Sequence, residues 1–183
     1  VDGVSFDLRR GGTVCLVGES GCGKTATILS VLRLIGRLQG RIVGGQVLFH
    51  GEDILRWPEE QMRRLRGRRI ALIFQDPQTA LNPVLKVSEQ ITEPMRLHLG
   101  LTRVQVRERA IELMREIGIP QAEMRIDEYP HQFSGGMKQR VLIASALSCH
   151  PEILIADEPT TALDVTTQAQ ILDIFRHLKQ DRD

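Results

Sequence analysis

The sequence predicts an α/β fold interrupted by a block of helices, and three observations carry that prediction. Short apolar runs end at polar or glycine-rich corners in "TVCLVG", "IALIFQ" and "EILIADE", the pattern of buried strands leading into loops. The first of these passes straight into "GESGCGKT", residues 18–25, and then into "ATILSVL", so strand, glycine loop and helix follow one another. From about Val84 to Cys149, by contrast, apolar residues recur at helical spacing.

A chain of 183 residues holds one ordinary core and at most a small second lobe. Apolar residues at 42% and charged residues at 26% exclude a disordered chain. A net charge of +1 gives no global basic field for a nucleic acid, and the local run "MRRLRGRR" reads as a solvated helix end and turn or, alternatively, as a contact for an anionic partner. No stretch is long and apolar enough to span a membrane, and "VDGVSFDLRRGG" lacks the shape of a signal peptide, so any membrane role is expected to be peripheral. Cys15, Cys22 and Cys149 form neither a metal knuckle nor an even disulfide framework, as expected in a reducing compartment. Cys22 reads as a small residue of the glycine loop rather than a redox switch.

The elements follow in order. "VSFDLRRGGTVCLVG" reads as a strand, a Gly-Gly turn and a buried strand ending at Gly18. Thr25 to Leu34 reads as a helix, with Ile28, Leu29, Leu32 and Ile35 at roughly helical intervals. "GRIVGGQVLFHGEDI" offers short strands broken by glycines, as in an antiparallel flap. "IALIF" is a second buried strand, ending at Gln75. Thr102 and Gln105 have capping-box spacing, and Val106, Ala110, Leu113, Met114 and Ile117 make one apolar stripe that closes at Gly118. "YPHQFSGG" is a loop, "MKQRVLIASALSC" a largely buried helix, "EILIAD" the third buried strand, and Val165 to Leu178 an amphipathic helix returning to the core. A parallel sheet with so few strands looks unfinished, and a crossover helix with no following strand reads as an excerpt of a longer chain.

The chemistry begins at the loop, which matches G-x-x-x-x-G-K-[ST]. Its glycines let consecutive backbone N–H groups turn inward, and the helix that follows adds the positive end of its dipole, a cradle for phosphate oxygens. Lys24 can reach the β and γ phosphates, and the Thr25 hydroxyl can ligate magnesium. "ILIADE" supplies the remaining needs of a hydrolytic site. Asp157, at the carboxyl edge of a buried strand, would hold the metal through water or directly, and Glu158 can reach the water in line with the γ phosphate as general base or polar anchor. Gln75 ends another buried strand and can touch metal or water without adding charge. Ser134, Gly135 and Gly136 precede a helix and form a second anion-binding end, which a head-to-tail pair of chains would use and a lone chain would not. Asp164, near the start of the last helix, reads either as its cap or as part of such an interface.

Taken in order, "GESGCGKT", "IFQD", "FSGGMKQR", "ILIADEP" and "TALD" resemble the nucleotide-binding domain of ABC transporter ATPases, along essentially the whole chain. The resemblance implies a P-loop NTPase with a RecA-like core, a small antiparallel β flap and an inserted helical subdomain. Residues 1–83 would be the first part of the core with the flap, 84–149 the helical subdomain, and 150–183 the rest of the core. Nucleotide contacts would fall on Gly18, Glu19, Ser20, Gly21, Cys22, Gly23, Lys24, Thr25 and Ala26, and on Ser134, Gly135, Gly136, Gln139 and Asp164. Catalysis would rest on Glu158, Lys24 and Gln75, and Mg2+ on Thr25, Gln75 and Asp157. The signature departs from the family's commonest form at Phe133, Met137 and Lys138, while its phosphate-facing Ser134, Gly135 and Gly136 are intact. The family's adenine-stacking aromatic is expected upstream of Val1 and its switch histidine downstream of Asp183; His177, in a helix, is not that histidine.

"IFQDPQTALNP" and "IADEPTTALDVTTQAQIL" are similar to the ATPases of bacterial dipeptide and oligopeptide importers, with nickel importers sharing the wording. The implied function is ATP hydrolysis that energises solute import from the cytoplasmic face of the bacterial inner membrane. The implied partners are transmembrane permease subunits, a homologous ATPase subunit in a head-to-tail dimer and, indirectly, an extracytoplasmic solute-binding protein, with no nucleic acid. Alternatives are an ABC-type ATPase of a soluble machine for DNA repair or ribosome work, and a nucleotide-gated dimerisation module. The transported solute is not encoded in these motifs.

Overall fold

The computed structural model describes residues 1–36, 40–161 and 163–181; Ala162 of the "TALD" stretch lies outside the described residues. The chain divides into two compact units, residues 1–63 with the end of the last helix, and residues 64–178.

In the first unit, residues 1–17 join no ladder among the described residues, so the two strands expected there do not form. Val4, Phe6 and Val17 stand 56%, 46% and 92% exposed. Apolar composition favours burial, but an extended segment becomes a strand only when a neighbour takes up its N–H and C=O groups, and none does. Helix α1 (Lys24–Val31) opens at Gly23, whose φ of 102° suits a residue without Cβ. It ends sooner than its apolar spacing predicts, because Arg33 turns left-handed (φ 53°) and its guanidinium donates to the Trp57 carbonyl at 2.5 Å. The expected flap is a short antiparallel hairpin, β1 (Leu48–Phe49) and β2 (Glu52–Asp53), with Leu48 opposite Asp53 and Phe49 opposite Glu52. His50 and Gly51 both have positive φ, 51° and 83°, the type I′ geometry whose twist fits a two-residue turn. The Asp53 carboxylate accepts from the amides of Val47 and Leu55, closing the hairpin's base.

Helix α2 (Glu59–Leu65) carries the chain into the second unit, where β3 (Ile70–Ile73) pairs in parallel with β4 (Ile153–Ala156). The register runs from Ile70 opposite Ile153 to Ile73 opposite Ala156. Between the two strands come α3 (Pro77–Ala80), α4 (Val87–His98), α5 (Arg103–Glu116), α6 (Ala122–Arg125) and α7 (Gly135–Leu147); α8 (Val165–Asp181) follows β4. Helix α5 begins with the predicted reciprocal cap, Gln105 N–H donating to Thr102 Oγ1 and Thr102 N–H to Gln105 Oε1. The first amides of α4 are taken up elsewhere in the unit, Val87 N–H by Glu128 O and Ser88 N–H by Ile126 O.

Helix α7 packs against α3, α4, α5 and β3, and its Val141, Ile143 and Ala144 are fully buried with Ile91, Met95, Leu113 and Met114. Each such large aliphatic side chain contributes about 1.5–3 kcal/mol, whereas an exposed pair such as Arg107–Asp127 contributes about 1 kcal/mol or less. Apolar packing therefore dominates the helical block. Ile171 of α8 joins the same core at 0% exposure.

One polar contact ties three helices together. Arg140 of α7 donates to the carbonyls of Ile117 (2.6 Å) and Gly118 (3.0 Å) at the end of α5, and to Gln170 Oε1 of α8 (2.7 Å). Gly118 has φ 75°, and a Cβ there would run into the Arg140 guanidinium. Gly118→Ala should lower stability by about 1–3 kcal/mol, through backbone strain and displacement of Arg140. Urea unfolding of the purified protein checks this, and an unchanged midpoint would show that the arginine yields without cost.

Candidate functional site

The predicted site residues fall on three structural features. In the first unit, the loop at 18–25 turns through two glycines of positive φ, Gly21 (81°) and Gly23 (102°). Gly18 is tight for another reason: a Cβ there would meet Cys22 Sγ at 2.5 Å. Lys24 curls back over the loop and donates to the carbonyls of Gly18 (2.8 Å) and Glu19 (3.0 Å). Its ammonium thus lies within the loop's own span at the N-terminus of α1, where backbone N–H groups lack helical partners and favour an anion. Thr25 is exposed beside it, and Cys22 is an exposed thiol in the loop.

In the second unit, the β3–β4 pair delivers two chain ends to one sheet edge. The ladder continues one step beyond β4, with Asp157 N–H donating to Ile73 O at 3.0 Å, and the Asp157 residue is 7% exposed. Gln75, two residues past β3, donates from Nε2 to Glu158 Oε2 at 2.9 Å. The structure therefore joins two residues 83 positions apart that the sequence only suggested belonged together. An ionised carboxylate only accepts, so the Gln75 amide turns its NH2 toward Glu158 and keeps its carbonyl oxygen for a cation or water. Glu158 itself has φ 44°, a left-handed conformation uncommon for a residue with a side chain. Thr161, which opens the "TALD" stretch but was not among its positions read as functional, folds back over it: its hydroxyl lies 3.1 Å from both Glu158 Oε2 and the Glu158 carbonyl. Only the turn after β4 reveals that contact. Its trace in sequence is the hydroxyl that opens "TALD", three residues after an acid.

The third feature is the start of α7. Ser134 is its N-cap, accepting from Met137 N–H at 3.3 Å, and Ser134 and Gly135 are exposed. Gly136 lies against α8: a Cβ on it would sit 2.6 Å from Thr167 Cγ2. Gln139 does not share the exposed face of Ser134. It is 1% exposed, and its Nε2 has no partner among the described residues. Asp164 caps α8, accepting from Thr167 N–H at 2.9 Å and from the Thr167 hydroxyl at 2.7 Å.

Among the described residues no three His, Cys, Asp or Glu side chains gather into a metal cage. In the second unit, Asp157 and Gln75 carry hard oxygen donors at the β3–β4 edge, a donor type that suits a divalent cation such as Mg2+.

The ABC transporter family model matches residues 1–161. The chain belongs to the ABC transporter family. A probable peptide ABC transporter ATP-binding protein of Sinorhizobium fredii is 52% identical over 97% of this chain and 53% of the relative. A dipeptide transport ATP-binding protein of Bacillus subtilis is 48% identical over 100% of this chain and 55% of the relative. This ABC chain thus spans about half the length of the curated relatives it matches. Among solved structures, a dimeric ATP-binding cassette in a post-hydrolysis state, bound to ADP and Pi, superposes with a TM-score of 0.82 at 26% identity, covering 96% of this chain and 73% of that one. A component of an ABC transporter complex from Clostridium perfringens gives 0.78 at 25% identity, covering 98% of this chain and 66% of that one. The fold is the P-loop NTPase α/β fold of ABC cassettes.

Asp164 gives a pH prediction for this cassette. Hydrogen bonds from the Thr167 hydroxyl and amide hold its carboxyl below the usual aspartate value of 3.8. A folded pKa below the unfolded one means that the cap's contribution is complete above about pH 4 and is lost as pH falls through the lower folded value. Amide exchange at Thr167 should therefore stay protected at pH 5 and speed up, relative to intrinsic rates, only in stronger acid. Asp164→Asn should remove that acid dependence.

Proposed function

We propose that the chain is the ATP-hydrolysing part of an importer of dipeptides or oligopeptides. The observation that carries the reading is the Gln75–Glu158 hydrogen bond at the β3–β4 edge beside the buried Asp157, in a chain of the ABC family. The peptide- and dipeptide-transport names of its relatives supply the solute class.

In this reading the amides of residues 18–26 and the Lys24 ammonium hold the phosphates, and Lys24 offsets charge that grows on the γ-phosphoryl and its leaving oxygen. Asp157, Gln75 and Thr25 would hold Mg2+, which supplies further charge neutralisation when bound. Glu158 orients a water in line with the γ-phosphorus and accepts its proton. The new P–O bond forms as the bond to the β–γ bridging oxygen breaks, giving ADP and phosphate.

Ser134, Gly135 and Gly136 serve the triphosphate held by a second, homologous ATPase subunit in a head-to-tail dimer. The dimeric state of the similar cassette supports this pairing. Asp164 lies at the same contact while capping α8. Permease subunits in the bacterial inner membrane receive the movement, and an extracytoplasmic binding protein brings the solute. No described helix is long and apolar enough to cross a membrane.

Lys24→Ala should weaken Mg-ATP binding about 10- to 100-fold, the loss of one or more charge-assisted hydrogen bonds. Glu158→Gln should keep binding but slow hydrolysis by about 100-fold or more. Nucleotide titration and phosphate release by the full-length protein in its membrane complex check both. Mild detergent extraction of that protein should bring down two permease subunits and a sister ATPase, whereas a ribosomal or DNA-repair complex would overturn the transport reading.

A further inference from the structure

Resting on the assignment of Glu158 to water activation, we propose that Thr161 is a positioning residue for that carboxylate and sets the rate of hydrolysis through it. Glu158 is held where a chain does not settle by itself. Its left-handed backbone, φ 44°, is strained for a residue with a Cβ and persists only where its surroundings fix it. Part of the restraint is a tight turn, Thr161 N–H donating to Glu158 O at 3.2 Å.

The Thr161 hydroxyl has one proton and two acceptors within 3.1 Å, the Glu158 carbonyl and Glu158 Oε2. The carbonyl already accepts from the Thr161 amide, and an ionised carboxylate is the stronger acceptor, so the proton is directed to Oε2. Gln75 Nε2 donates to that same oxygen at 2.9 Å. Two donors from different parts of the fold, one past β3 and one past β4, therefore meet on a single carboxylate oxygen. Together they restrict the rotation of a side chain that otherwise samples several rotamers, and aim it before the reaction begins.

A merely structural threonine and a positioning one differ in what its hydroxyl does. Thr161→Val keeps the shape and removes the donor; Thr161→Ser keeps the donor. In the full-length protein within its transporter complex, Thr161→Val should lower kcat for ATP hydrolysis by roughly tenfold or more with KM for ATP unchanged, while Thr161→Ser restores most of the rate. In a Glu158→Gln background, Thr161→Val should add no further loss, because the group it aims is already gone. Should the valine variant not fold, judged by its thermal midpoint and by binding of a fluorescent ATP analogue, Thr161→Ala takes its place under the same criteria.

A wild-type kcat in the hydroxyl-less variant overturns the proposal. So does a serine variant as slow as the valine one, or a loss that falls on KM, since each marks a structural turn only. The underlying reading fails separately: a Glu158→Gln protein that still hydrolyses ATP at the wild-type rate removes the role of Glu158 itself, whereas a slow Glu158→Gln beside an unimpaired Thr161→Val removes that of Thr161 alone.

Discussion

The parallel pairing of β3 with β4 is the constraint on which the chemistry of the second unit depends. With Ile73 opposite Ala156 and the ladder extended by Asp157 N–H to Ile73 O, the residues that follow each strand emerge at the same edge. A slip of one residue would turn β4's side chains to the opposite faces and carry Asp157 and Glu158 away from Gln75. Parallel strands cannot be joined by a tight turn, so everything from α3 to α7 serves as the crossover between them. The helical block is thus part of what fixes the register. Its buried core, centred on α7, makes the long connection compact and packs α7 directly on β3.

Helix α7 also links that core to the exposed helix start capped by Ser134. Its middle is immobilised by apolar contacts, and Arg140 fastens it to the end of α5 and to α8. The first turn is held as well, since Gly136 admits Thr167 of α8 so closely that no side chain fits between them. The glycine is therefore required by approach rather than by backbone conformation. Because Thr167 is also the residue that Asp164 caps, the starts of α7 and α8 are joined through one threonine.

How much of this was legible in the sequence depended on how local its cause was. The cap of α5 at Thr102 and Gln105, and its left-handed end at Gly118, are written within a few residues and emerged as expected. Asp157 and Glu158 were legible as acids at the end of an apolar run, because strand termination is also local. The apolar runs before Gly18 misled, since a strand needs a partner and composition names none. The contact of Gln75 with Glu158 was not legible in pattern, as it rests on a register set by packing between residues 83 positions apart. For Asp164 the sequence supports both a cap and an interface; the fold shows the cap of α8, at an exposed position.

The glycine loop follows a different logic from the β3–β4 edge. There, side-chain donors hold a carboxylate in place; here, backbone carbonyls hold a cation. The carbonyls of Gly18 and Glu19 keep the Lys24 ammonium over the loop, but both contacts are exposed to solvent, where an intramolecular hydrogen bond is worth only about 0.5–1.5 kcal/mol net. A phosphate oxygen carries full negative charge where a carbonyl carries a partial one, and charge-assisted bonds are roughly twice as strong. Exchange from carbonyl to phosphate therefore runs downhill with little reorganisation, because the ammonium already lies within the loop's span. A lysine extended into water would first have to lose the freedom of its four-carbon stem, which costs up to about 2 kcal/mol. The self-contact of the loop thus suits the phosphate contact proposed for it, and the loop's positive-φ glycines, Gly21 and Gly23, give it the tight path within which Lys24 folds back.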